Sequence, residues 1–198
     1  MAENKIDNPE EIILGSGDLY VVAFKGGQVP DDGTIETDVN RAGNTKGGAA
    51  LEYSSSSQTV EDDEGHVKRT VITKENLTMK TGMLTWAEHW IKALLPTARV
   101  DKESKPGHAI WKIGGLSQQG TDGYLFRFVH TRDDGRKLRV TVTGKNTGPV
   151  ALKFDPENPS TVDGEITANS LDKDGTLVIV DDELTPGAAA ASVPGNKK

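Results

Sequence analysis

The chain has no cysteine among its 198 residues. That excludes a disulfide framework, a thiolate nucleophile and any cysteine-ligated zinc or iron–sulfur centre. Aromatic residues are also scarce, at 5%, with three Trp and three Tyr, so an aromatic ligand platform has little to draw on. No apolar run approaches the ~18 residues of a membrane-spanning helix, and the N-terminus MAENKIDNPEEIILG lacks a cationic segment followed by an apolar one. The expectation is therefore a protein made and kept in the cytosol, without a membrane anchor. A basic patch is missing too. Lys68, Arg69, Arg132, Arg136, Lys137 and Arg139 are interleaved with Asp62, Asp63, Glu64, Asp133 and Asp134 in a chain of net charge −7, which argues against an electrostatic grip on nucleic acid. The sequon Asn76-Leu77-Thr78 means little in a chain that is not exported.

What is present is a 34% hydrophobic content at a length that suits one domain with a core of its own. We divide the chain into an N-terminal segment (1–14), a single β domain (15–183) and a flexible C-terminal tail (184–198), whose LTPGAAAASVPGNKK has no aromatic residue. Glycine-rich and polar punctuation cuts the domain into about eight short apolar segments, the spacing of strands. Strands are expected at 18–24, 49–53, 67–81, 109–113, 124–130, 137–144, 149–154 and 176–181, the last five short and rich in β-branched or aromatic residues. Asp134-Gly135 within TRDDGR marks a tight turn between YLFRFVH and KLRVTVTGK, the strongest hairpin in the sequence. Neither face of YLFRFVH is fully polar, so both are expected to be covered. The serines Ser54 to Ser57 read as a turn next to EDDEG. A polar stretch from Lys25 to Gly48 holds little that is apolar beyond Val29, Ile35 and Val39 and reads as a long loop. One helix is expected, over about 85–95. Thr85-Trp86-Ala87-Glu88 has capping-box spacing, Trp86, Trp90, Ile91, Leu94 and Leu95 share one face, and Pro96 ends it. The fold class is mainly β, an antiparallel sandwich or barrel with one flanking α-helix.

The search for chemistry finds spacings that fail. His66, His89, His108 and His130 form no HExxH or HxH pattern. Gly115-Leu116-Ser117-Gln118-Gln119 lacks the final glycine of a nucleophile elbow. Gly144-Lys145 is followed by Asn146, and Gly15-Ser16-Gly17 continues without a third glycine, so no phosphate loop is formed and these read as turn glycines. Asp62-Asp63-Glu64 and Asp172-Lys173-Asp174-Gly175 are acidic, but the second runs out of the calcium-loop frame and reads as a β-turn. We therefore expect no enzyme, with no catalytic, cofactor-binding or metal-binding residue.

The order of LGSGDLYVVAF, GNTKGGAALEYSSSS and VITKENLTMKTGMLTW resembles the tail tube (major tail) proteins of tailed bacteriophages and related contractile particles, over roughly residues 12–96. The resemblance implies a β-sandwich or barrel with one flanking helix. It implies hexameric rings that join their sheets and stack into a hollow tube, with Lys25 to Gly48 as stacking loop and both chain ends as further contacts. The partners it implies are the chain itself, a tape measure protein inside, terminator, baseplate or tip and sheath proteins, with DNA passing through unbound. The place it implies is the virion tail, assembled in the bacterial host cytoplasm. An acidic lumen would repel DNA phosphates. A competing expectation is a monomeric β-sandwich binding or adhesion module using Trp111, Tyr124 and His130 as a platform.

Overall fold

The computed structural model of the chain describes residues 16–61, 68–84, 87–120, 123–151 and 161–184. Nine strands, β1 (Asp18–Phe24), β2 (Arg41–Glu61), β3 (Lys68–Met83), β4 (Arg99–Asp101), β5 (Ile110–Lys112), β6 (Gly123–Thr131), β7 (Lys137–Asn146), β8 (Val162–Asn169) and β9 (Ile179–Asp182), are accompanied by two short helices, α1 (Asp32–Ile35) and α2 (Glu88–Leu94). The mainly β, antiparallel class expected from the sequence is what the chain adopts.

The large sheet runs β6-β1-β2-β3-β8-β7, and β6 pairs back onto β7, so six antiparallel strands close on themselves. β7 makes this possible by dividing one of its edges. Leu138 to Thr141 pair with β9, while Thr143 to Asn146 pair with β8. Closure depends on a glycine at the junction, because a Cβ on Gly144 would collide with the carbonyl oxygen of Thr167.

Alternation along the strands fills the interior. Leu19 and Val21 of β1 stand opposite Phe128 and Phe126 of β6, which stand opposite Val140 and Val142 of β7. Met79 and Met83 of β3 face Ile166 and Val162 of β8. α2 adds Trp90, Ile91 and Leu94 to the same core. Trp90 meets Phe126 edge to face at 6.2 Å. A Cβ on Gly164 would lie 2.7 Å from Leu94 and 2.8 Å from Trp90, so the glycine makes room for the helix.

Several expectations need correction. The helix is shorter than 85–95, its N-cap is Ala87 without a side-chain cap, and Thr85 lies outside the described residues. Glu88 does not reach back to the helix start, because its carboxylate meets Lys92 at 2.8 Å and Lys102 at 2.6 Å. Ser54 to Ser57 are strand, within β2, rather than turn. The polar loop is not 25–48: residues 32–35 form α1 and Arg41 onward belongs to β2. Residues 149–151 are not strand, and 152–154 lie outside the described residues. β4, β8 and α1 were not expected. The TRDDGR turn is as read, with Gly135 at φ 87° and Thr131 opposite Lys137.

Replacing Gly144 with Ala is expected to destabilise the protein by about 1–3 kcal/mol, as overpacking against backbone does. The urea midpoint of unfolding reads this, and an unchanged midpoint would refute the role assigned to Gly144 in closure.

Candidate assembly surface

The β2–β3 hairpin outgrows the barrel. β1 pairs with β2 only over Arg41 to Asn44, and β8 pairs with β3 only over Thr78 to Met83. Beyond those points β2 and β3 continue as a two-stranded ribbon, from Tyr53 and Leu77 out to Glu61 and Lys68, whose two outer edges pair with no other strand among the described residues. At about 3.3 Å per residue the ribbon reaches about 30 Å past the barrel. Every residue of Leu51–Glu61 and of 68–75 is exposed, so among the described residues nothing covers either face of the ribbon over that stretch, whereas Leu77 at its base is buried in the core.

Polar cross-strand contacts hold the two strands to each other. Tyr53 Oη donates to Glu75 Oε1 at 2.7 Å, the Thr59 and Thr70 hydroxyls meet at 2.9 Å, and Lys68 pairs with Glu61. The glutamate beside Tyr53 pushes the phenol above its ordinary value, chiefly through that hydrogen bond. A bulge at Thr73 breaks the register, and its hydroxyl donates to the carbonyl of Ser56 at 3.2 Å. Large apolar side chains nevertheless stand out on both faces: Val60 is 59% and Ile72 60% exposed, with Tyr53 and Val71 beside them. A lone two-stranded ribbon is marginal in water, and an unpaired edge templates pairing with another chain.

A second free edge lies on β9, whose four residues are all exposed and whose inner edge alone is paired, to β7. The acidic residues around it are tied to the barrel. Arg132 donates to both carboxylate oxygens of Asp182, at 2.6 and 3.1 Å, and Arg139 donates to Glu183 at 2.6 Å.

The outer face of β6 and β7 carries a charged cluster where the sequence suggested a covered face. Arg127 and Arg139 are 6% and 7% exposed. α1 and the residue after it lie over them, so that Glu36 takes Arg139 at 2.5 Å and Lys137 at 2.8 Å, while Asp32 pairs with Arg127. Asp31 caps α1, accepting from the Thr34 amide at 2.9 Å. Burial opposes the charge on Glu36, but hydrogen bonds from Lys137 and Arg139 outweigh it and hold the carboxyl below its ordinary value. The Arg139 guanidinium loses by desolvation and gains more from Glu36 and Glu183, so its pKa is raised. The polar stretch expected to project as a stacking loop is in this part docked against the barrel.

The other residues singled out in the sequence do not converge. His130 is buried, with Nδ1 2.8 Å from the carbonyl of Ser16, and Tyr124 is at the opposite end of β6. Trp111 is in the small β4–β5 sheet and packs, like Tyr124, against the core. The three therefore form no joint platform. His89 is half-buried on α2 and desolvation pushes its imidazole pKa down, while His108 is exposed and His66 lies outside the described residues. Ser117 is in an exposed 3-10 turn. Gly144 and Lys145 are strand, not turn. Asp172 Oδ1 accepts from the amides of Asp174 and Thr176, both at 3.0 Å, in the turn expected there. The acidic run 62–64 lies outside the described residues. Among the described residues no three His, Asp or Glu side chains gather as would hold a metal ion, and no helix is long and apolar enough to cross a membrane. The chain matches no protein-family model and no curated protein sequence.

The serines hide the ribbon as a unit, since four in a row have the composition of a turn; Val60, Val71 and Ile72 on either side are the signal in the sequence for continuous strands. The lowered pKa of Glu36 sets a pH dependence. A carboxyl held below its unfolded value adds stability that is full above about pH 4.5 and is lost as pH falls through the folded value. Glu36→Gln is expected to cost on the order of 2 kcal/mol at pH 7 and to flatten the fall in stability between about pH 5 and 3. Urea unfolding of both proteins across that range checks it; parallel curves would refute the cluster's role.

Proposed function

We propose that the protein is a structural subunit whose copies join through their sheets into rings that stack as a hollow tube, in the manner of a phage-type tail tube conducting DNA. What supports this reading above all is the two-stranded ribbon, about 30 Å long by its residue count, with two unpaired edges, both faces exposed and apolar residues on each. An element of this kind gains stability when another chain covers it. The barrel from which it projects is closed, so the ribbon's partner is sought outside the molecule. The resemblance in residues 12–96 supplies the type of assembly, and the net charge of −7 suits a conduit that does not hold nucleic acid. In this reading the chain does no chemistry and acts in the virion tail. Its partners are itself, a tape measure protein within, and terminator, baseplate or tip and sheath proteins around it.

Negative-stain microscopy of the purified protein is expected to show rings or tubes about a hundred ångströms wide. Replacing residues 53–75 with a two-residue turn is expected to abolish them while leaving a folded, monomeric barrel by circular dichroism and size-exclusion chromatography. A full-length chain that stays monomeric at high concentration would refute the proposal.

A further inference from the structure

Resting on that reading, we propose that the β3 edge of the ribbon in one copy pairs antiparallel with the outer edge of β9 in the next, Val71 opposite Val180.

The free edges themselves lead to this seam. Among the described residues, the long unpaired edges of the large sheet are those of the ribbon and a further free edge of that sheet is on β9, while the separate β4–β5 pair, three residues a strand, offers only short ones. Charge then separates the two ribbon edges. Over Leu51–Glu61, β2 carries only Glu52 and Glu61, whereas β3 opens with Lys68 and Arg69 and continues to Lys74 before its one acid, Glu75, which accepts from Tyr53. β9 ends in Asp181 and Asp182 and is followed by Glu183. An acidic strand is repelled by β2 and attracted by β3, and such complementarity selects partners even where single surface pairs add little stability.

The side chains fix a register. With Val71 opposite Val180 in an antiparallel pair, Ile72 falls opposite Ile179, Arg69 opposite Asp182 and Lys68 opposite Glu183. Two consecutive apolar residues on each strand point to opposite faces, so each face gains one apolar cross-strand pair and one opposite-charge pair. Ile72 and Val180 are among the most exposed apolar residues of the described chain, at 60% and 55%. Arg69 has no ion-pair partner among the described residues. Asp182 and Glu183 already accept from Arg132 and Arg139 but keep 43% and 40% of their side-chain surface exposed, leaving lone pairs for a second cation.

The absence of cysteine makes the seam testable by cross-linking in the full chain. Neighbouring strands bring Cα atoms within disulfide reach. A Val71→Cys/Val180→Cys double variant, assembled and then oxidised, is expected to give a non-reducing ladder of several multiples of 21.2 kDa, because each copy links to two others. Each single variant stops at a dimer, and so does the register-shifted pair Lys74→Cys/Val180→Cys. Tubes of the double variant that yield nothing above a dimer would overturn the seam while leaving the tube reading intact. A wild-type chain that forms no assembly overturns both. Arg69→Asp, a change on an exposed strand, gives a second measure: assembly is expected to need at least tenfold more protein, and assembly at the wild-type concentration would overturn the register.

Discussion

The way β7 divides one edge between two strands governs the architecture. A strand in a closed barrel has two edges, and β7 gives one entirely to β6. Its other edge takes β9 along the first half and β8 along the second, which brings the end of β8 across Gly144. Without that crossing β8 would have no second neighbour and the sheet would remain open between β8 and β7. Because it closes, β1, β6, β7 and β8 each have a neighbour on both sides over part of their length. Among the described residues the longest unpaired edges of this sheet are on the hairpin that is too long for the barrel, with a further one on the short strand displaced beside β8.

The charged cluster around Glu36 solves a problem that closure creates. Arg127 and Arg139 alternate with core residues along β6 and β7, so they must point away from the interior, onto a face that is nonetheless buried. Two buried guanidinium groups are costly unless carboxylates meet them. Glu36 and Asp32 arrive from α1 and the residue after it, and Glu183 from beyond β9, so Arg139 holds the segment before β2 and the segment after β9 on the same face, with Arg127 adding to the first. A stretch that looked like a free polar loop is thereby converted into a cover, and the apolar Ile35 within it is fully buried.

Legibility in the sequence followed periodicity. β1 was read at its observed bounds, and the β6–β7 hairpin was read with both faces covered, because alternation and an Asp-Gly turn act locally. β8 was missed for a physical reason: VDGEITAN carries turn-forming Asp-Gly where the strand needs a residue small enough to pass beneath Trp90 and Leu94, so a tertiary demand masks the local signal. α1 is a single turn made stable by its Asp31 cap and by ion pairs to residues roughly a hundred positions away, which no window along the chain can see. The ribbon was half legible. Its apolar residues gave two strands, but four serines between Tyr53 and Gln58 have neither the burial nor the turn chemistry to show that the strands pass straight through them.

Charge also decides what kind of assembly these edges allow. A contact between like edges forgoes the match of opposite charge: β9 against β9 brings together two strands whose only charges are acidic, and β3 against β3 two that are basic on balance, with Lys68, Arg69 and Lys74 against the single Glu75. Such a contact would be two-fold symmetric and would end growth at a dimer. Unlike edges attract, and because they belong to different parts of the molecule each copy offers one and receives the other. A head-to-tail contact of that sort either closes into a ring or continues as a filament. The opposite signs of β3 and β9 therefore favour propagation over pairing, which is what the proposed seam between copies requires.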